Sequence, residues 1–567
     1  MKKLILHSAI SNTILILVSL LLFSCTQREI ENTNQELKDF ISDYEAKVIL
    51  LEKEYNLASF NASITGKEVD YRKSTTLEIL LVNLYSNQES FKKIKKIRDS
   101  GHITDKLLKR QLDILYNKYL MHQIDERNML ELIMLNNDVE RKFSTYRPRH
   151  RNQEITINQI EDILKTSTDS EELKEVWIAS KNVGDIVVDD FVELVKLRNK
   201  IAKNLGFKNF FEMTLILNDQ DPKEIEDLYE ELDILTKGPY TQLKNEIDSY
   251  LAKKYKKRKE DLMPWHYQNR FFQVAPEIYE INLDEYYKKK DIVYLAKKFY
   301  KSLGIDIDEI VENSDLYEKP GKVQQSDCRV IERGKDVRVL CNVELNYYWM
   351  NTVLYEFGFA AYNKYIEDTL PYVLKTPAHF FTNDAIATLF SRFSSHPLWL
   401  KDVVEISDEE YQNISESSCN NLRLEKFVFS RFAQVMYNFE KRMYENPDQA
   451  LNKLWWDLVQ KYQLLKRPAR RNSPDWVTKS HIVFQPCSYH NYLLGEVFAS
   501  QLHYYIVENV VKSDDYRNQC YTNNNKIGEY LIENIFKPGN QYYWNDLIEK
   551  ATGEKLSAQY FSKQFVN

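Results

Sequence analysis

Asn351-Thr-Val-Leu-Tyr-Glu-Phe-Gly-Phe-Ala-Ala-Tyr362 is the stretch on which the reading of this chain turns. Leu354, Tyr355, Phe359 and Tyr362 recur at helical spacing, so the segment reads as a helix whose aromatic and aliphatic side chains fill a core. The same periodicity extends to both sides. From about Asn32 to Leu132 apolar residues return every three or four positions, as in Leu37, Phe40, Ile41 and Tyr44, or Leu107, Leu108, Leu112 and Leu115, with charged residues between. Further helices are expected over Glu171 to Leu205, Lys223 to Tyr255, Ile292 to Leu303 and Tyr347 to Tyr365. In 567 residues there are only 13 glycines and 14 prolines, which favours long helices over a turn-rich sandwich or barrel. The expected fold is therefore mainly α, a single large helical body.

One short β element stands out. Cys328 and Cys341 flank Arg329-Val-Ile-Glu332 and Val337-Arg-Val-Leu340, two β-like runs joined by the turn Arg333-Gly-Lys-Asp336. Arg147-Pro-Arg-His-Arg151 reads as a solvated basic loop. No repeat, low-complexity stretch or long linker marks a boundary after residue 35. The formal charge is −7, and two units more negative without Lys2 and Lys3, which argues against nucleic acid as a partner.

The N-terminus reads as an export signal over residues 1–24. Lys2 and Lys3 precede the apolar run Ile14 to Phe23, too short to span a bilayer. Leu22-Phe-Ser-Cys25 resembles the lipobox of bacterial lipoproteins, which implies that Cys25 becomes the first mature residue and carries lipid; a plain cleaved signal with a chance cysteine is the alternative. Residues 25–35 then form an anchor linker and 36–567 the helical domain. Thr26 is compatible with an outer-membrane destination in the bacterial cell envelope. Export implies an oxidising compartment, so a disulfide between Cys328 and Cys341 across the hairpin is expected, whereas Cys419, Cys487 and Cys520 lack an obvious partner.

Segments in a common order carry a wider resemblance. Ser59-Phe-Asn-Ala-Ser-Ile-Thr65, Leu197-Arg-Asn-Lys-Ile-Ala-Lys-Asn-Leu-Gly-Phe207, Pro264-Trp-His266, Leu316-Tyr-Glu-Lys-Pro320 and Leu454-Trp-Trp-Asp-Leu-Val-Gln-Lys-Tyr-Gln463 resemble segments of the angiotensin-converting-enzyme family of zinc peptidyl-dipeptidases. The last is the most specific, because two tryptophans, a lysine and a tyrosine keep their spacing. The resemblance spans nearly the whole mature chain and implies a helical metallopeptidase fold with a deep central cleft and a small β-hairpin beside it.

It also implies a zinc site that this chain does not spell. The family's T-V-H-H-E-M-G-H-I-Q-Y-Y helix corresponds to Asn351–Tyr362: Glu356, the general-base position, and Gly358 are kept, but the histidine ligands are Tyr355 and Phe359. Phe381-Thr-Asn-Asp-Ala-Ile-Ala-Thr-Leu389 resembles G-F-H-E-A-I-G-D-V-L, placing Asp384 at the third ligand and Thr388 at a supporting aspartate. Phenylalanine offers no lone pair, and a tyrosine oxygen lies far beyond an imidazole nitrogen's reach from the same backbone position. A single short carboxylate holds zinc weakly against water. No zinc is therefore expected, and without it Glu356 has no polarised water to activate. A relocated site using His379 or His396 is the alternative, although neither belongs to an i, i+4 pair.

The rest of the implied cleft survives. Thr478-Lys-Ser-His-Ile482 resembles A-K-F-H-I and Ser488-Tyr-His-Asn-Tyr492 resembles P-Y-I-R-Y, with one extra residue between them. By this resemblance Lys479 and Tyr489 inherit the positions that hold a substrate's C-terminal carboxylate, and His481 and Tyr492 those that steady the tetrahedral intermediate. An ammonium and a phenol suit a carboxylate, since both donate hydrogen bonds and one adds charge; displacement of Tyr489 by the extra residue is the competing expectation. The family's H-A-S-A-W strand is replaced by Arg329–Glu332, an edge that can still pair with a peptide. The family's chloride-binding arginines correspond to Val459 and Asn491, so the usual anion sites are not expected. Three functions stay open: an inactive, membrane-anchored lipoprotein that binds peptides with a free C-terminus or acts as a scaffold, an active peptidyl-dipeptidase with a non-standard metal site, and a structural subunit of a cell-envelope complex.

Overall fold

The computed structural model describes residues 2–279 and 281–566, with side chains from residue 27 onward. The Cys25 side chain, and with it the expected lipid attachment, lies outside that description. The chain packs as two compact units, one of Met1–Gln123 with Leu370–Leu374, the other of Ile124–Thr369 with Lys375–Asn567. Among the described residues no helix is long and apolar enough to cross a membrane.

The first unit is a helical hairpin with two further helices: α1 (Lys2–Thr65), α2 (Glu68–Tyr85), α3 (Gln88–Asp99) and α4 (Lys106–Met121). The turn after α1 needs a left-handed residue and has Gly66 there (φ 65°), after which α2 packs along α1. Leu37, Phe40, Ile41 and Tyr44 are buried, as their spacing predicts, and Tyr44 and Tyr85 share a hydrogen bond of 2.9 Å in that core. Asp105 caps α4 by accepting the Leu108 N–H at 2.8 Å. Leu112 and Leu115 are buried but Leu107 is 41% exposed, because it lies one residue, about 100°, off their stripe.

The second unit carries the remaining helices used below: α5 (Glu126–Thr145), α6 (Ser170–Lys181), α7 (Val183–Asn204), α8 (Pro222–Lys254), α9 (Ile292–Ser302), α10 (Tyr347–Lys364), α11 (Phe380–Ser391), α12 (Asp408–Glu445) and α13 (His490–Tyr505). The helix expected over Glu171–Leu205 divides at Asn182. Its second part starts against another segment, so closely that a Cβ on Gly184 would sit 2.6 Å from the Pro474 carbonyl oxygen. The basic stretch near Arg149 closes a minimal hairpin, β1 (Arg149–His150) with β2 (Gln153–Glu154).

The second hairpin, β3 (Asp327–Glu332) with β4 (Asp336–Leu340), lies where the turn chemistry placed it and packs on α10. Its register corrects the disulfide expectation. Cys328 pairs with Val339, so Cys341 is its diagonal neighbour two residues on, and both thiols are free.

α11 lies between α10 and α13 and forms the scaffold of the site. Asn346 caps α10 by accepting the Trp349 N–H at 2.9 Å. Gly358 permits the α10–α11 approach: a Cβ there would meet Ala387 Cα at 3.0 Å and the Phe390 ring at 3.1 Å. Leu354 and Tyr362 are fully buried, as their spacing on α10 predicts.

Candidate binding pocket

Seven residues singled out from the sequence line one pocket of about 530 Å³ in the second unit: Tyr355, Asp384, Thr388, Lys479, His481, Tyr489 and Tyr492. They come from α10, α11, the 479–481 segment and the start of α13, so only the packing of these elements assembles them. Tyr489 is not displaced by the extra residue before it. Gln273, Glu425, Lys426, Phe429 and Glu496 complete much of the wall.

At one end, the Lys479 ammonium donates to Gln273 Oε1 at 2.5 Å and lies 5.1 Å from the centre of the Tyr489 ring and 5.3 Å from that of Phe432. Burial, reinforced by Arg270 and opposed by Glu161, pulls its pKa down to about 7. His481 stacks edge-on to Tyr489 and Tyr492, with ring centres 5.0 and 6.1 Å away. Burial and the nearby Lys479 charge lower its pKa to about 4, so the imidazole is neutral near pH 7, and its Nδ1 has no hydrogen-bond partner among the described residues. The Tyr492 phenol is pushed up by burial and by Asp384, and stays a hydrogen-bond donor.

At the other end, the Tyr355 hydroxyl donates to Asp384 Oδ1. Burial pushes the Asp384 carboxyl up to about 7, a shift that the Tyr355 hydrogen bond and Lys426 oppose and Glu496 increases. Asp384 Oδ2 lies where a Cβ on Gly495 would be 2.2 Å away, so glycine at 495 makes room for the carboxylate. Glu496 is engaged at both oxygens, by Arg392 at Oε2 and by Lys426 at Oε1, 2.6 Å away. That pair of cations keeps Glu496 below the usual carboxylate range despite its burial.

Glu356 and Phe359 do not line this pocket. Glu356 is buried near the hairpin; desolvation raises its pKa to about 7, with a hydrogen bond to Ser326 pulling it down and Asp327 pushing it up. Phe359 packs between the Tyr355 and Phe380 rings, with centres 6.4 and 6.1 Å away. His379 caps α11 through Nδ1, accepting the Phe381 N–H at 3.2 Å, and His396 Nε2 meets the Arg517 carbonyl at 2.8 Å. Neither lines the pocket.

As donors for zinc these groups do not make a set. Phe359 has no donor atom, Glu356 faces elsewhere, and the phenol that replaces a histidine is spent on Asp384, the one remaining ligand position. Catalytic zinc takes three protein ligands beside an open position.

Gln273, Lys426 and Glu496 were not read from the sequence. Gln273 follows the Pro264-Trp-His266 segment by a short fixed distance and could have been sought there. Lys426 and Glu496 sit on α12 and α13, seventy positions apart, and only packing joins them.

Comparison with known proteins agrees with this architecture. The family model described as angiotensin-converting enzyme, Peptidase M2, matches residues 31–566. The angiotensin-converting enzyme-like protein Ace3 of Mus musculus is 24% identical over 442 residues, 72% of this chain and 59% of that protein. The angiotensin-converting enzyme of Mus musculus is 21% identical over 565 residues, 93% of this chain and 42% of its own length. That of Haematobia irritans exigua is 23% identical over 446 residues, 71% and 72% of the two chains. The chain thus spans about half the length of the two mouse relatives. With the family pattern matched across nearly its whole length, the chain belongs to the angiotensin-converting-enzyme family, peptidase family M2.

Proposed function

We propose that this family member binds peptides through their C-terminal carboxylate without hydrolysing them, as a lipoprotein tethered to the bacterial cell envelope, at the outer membrane, through Cys25. The observation that carries the reading is the contrast within one pocket: Lys479, Gln273 and Tyr489 converge at one end, while the Tyr355 hydroxyl bonds to Asp384 at the other. A desolvated lysine next to a neutral amide and a phenol is suited to an anion that brings charge and accepts several hydrogen bonds. Hydrolysis by this family's chemistry needs a metal-activated water, for which the donors present are unsuited. The anchor rests on the order of Lys2, the apolar run and Cys25 in the sequence. One acyl chain gives only marginal membrane binding, whereas the two or three of a lipoprotein give a stable tether.

The test is calorimetry with N-acetylated tripeptides ending in a free or an amidated carboxyl. The free acid binds more tightly, and Lys479→Ala removes the difference, a loss of about 1.5–3 kcal/mol or roughly ten- to hundredfold. Glu356→Gln leaves affinity unchanged. Equal binding of acid and amide by the native protein would reject the carboxylate site, and dipeptide release that disappears in Glu356→Gln would reject the loss of activity.

A further inference from the structure

We propose that Asp384 and Tyr355 form a subsite for a positively charged amine, so that the pocket takes short zwitterionic peptides held at both termini, the amino group occupying the corner where the family carries its metal. This rests on the carboxylate reading of Lys479 given above. Groups of opposite kind line this one pocket: Lys479, packed against the Tyr489 ring, and Asp384, bonded to Tyr355. Two other carboxylates line the wall: Glu496 has both oxygens taken, by Arg392 and Lys426, which occupies Lys426 as well, and Glu425 is only half-buried and accepts from Asn421 at 2.8 Å. Asp384 differs. It is 2% exposed, receives one hydrogen bond, from the neutral Tyr355 hydroxyl, and among the described residues forms no ion pair.

A buried carboxylate without a cation is an unfavourable arrangement that an incoming ammonium relieves. Oδ2 lies in the room that Gly495 leaves for the carboxylate, and the one hydrogen bond from Tyr355 falls on Oδ1, so Oδ2 is the oxygen that Tyr355 does not use. An ammonium has three donors; Asp384 Oδ2 takes one, and the Thr388 and Tyr492 hydroxyls line the same pocket to accept others. Val274, Ala275 and Phe429 add an apolar stretch suited to an apolar or aromatic side chain on the ligand. The volume, about 530 Å³, is that of a small-ligand site rather than an extended peptide groove. A cation is thus retained at this corner, supplied by the ligand instead of by a metal.

The experiment is calorimetry at pH 7 with alanylphenylalanine, its N-acetyl derivative and its C-terminal amide, using the native protein and Asp384→Asn. We expect N-acetylation to weaken binding to the native protein about ten- to hundredfold. Asp384→Asn should weaken the free dipeptide by the same factor and leave the N-acetyl form unchanged. The comparison between ligands on the native protein stands even if the variant folds poorly. Equal affinity for the free and N-acetylated forms overturns the amine subsite while leaving the carboxylate reading intact if the amide is still weaker. Equal affinity for the free acid and the amide overturns the carboxylate reading itself. Stoichiometric binding of zinc alone, competitive with the dipeptide and lost in Asp384→Asn, would show a metal site and overturn the inference.

Discussion

The two ends of the pocket have had different histories of substitution. At the Lys479 end, the positions that the family resemblance assigns to a carboxylate keep their residue types and meet in one pocket, with Gln273 added. At the Asp384 end, a donor cluster has become a phenol–carboxyl pair beside a packed phenylalanine. On the proposed reading the first end works through charge and direct hydrogen bonds, which tolerate modest rearrangement of the chain around them. Metal binding depends on three ligands at fixed distances, so the proposed loss of zinc rests on the replacement of two of those positions. On the proposed reading, binding outlasts catalysis in one and the same pocket.

The contrast is broken most drastically by rebuilding the second end. Tyr355→His, Phe359→His and Asp384→Glu together restore the two imidazoles one turn apart and the third carboxylate, and the variant should retain stoichiometric zinc through gel filtration where the native protein is expected to retain none, both measured by metal analysis. A triple variant that folds but takes up no zinc would mean that the corner itself, and not only its ligands, has been remodelled.

A second effect sharpens the first end. Lys479 carries a pKa pulled down to about 7 in the free protein, whereas binding a carboxylate requires the ammonium. Above that pH the lysine must take up a proton on binding, so affinity for a free-acid peptide should fall by up to about tenfold per pH unit between roughly 7 and 9. Calorimetry in buffers of different ionisation enthalpy should register proton uptake at pH 8, and amidated peptides should show neither effect. A flat profile would place the carboxylate away from Lys479.

The smallest expected effect concerns the hairpin near Glu356. A bridge between Cys328 and Cys341 would close a loop of about 14 residues and contribute about 3 kcal/mol. With both thiols free, reductant should leave the melting temperature unchanged, and alkylation of the denatured, unreduced protein should label both cysteines. Protection of both from alkylation would restore the bridge.

Much of this architecture was legible in local pattern. Leu37, Phe40, Ile41 and Tyr44 are core residues because helical periodicity alone selects one face, and the Arg333–Asp336 turn located its hairpin because few residue types adopt that geometry. The places where the reading stopped are those where partners are distant. Two β-like runs indicate a hairpin but not its register, and an offset of two residues separates cysteines that would otherwise face each other. The Glu171–Leu205 periodicity continues through Asn182, where tertiary packing divides the helix.

By itself the sequence determined the helical class, the family, the absence of histidine at 355 and 359, and the identities of Lys479, His481, Tyr489 and Tyr492, because these follow from residue type, order and local spacing. Only the tertiary structure decided that Tyr355 donates to Asp384, that Gly495 leaves room for that carboxylate, that Glu496 is neutralised by Arg392 and Lys426, and that Gln273 meets Lys479. Each of these depends on hydrogen bonds a few ångströms long between segments up to two hundred residues apart. Direction and distance, not composition, decide whether such bonds form.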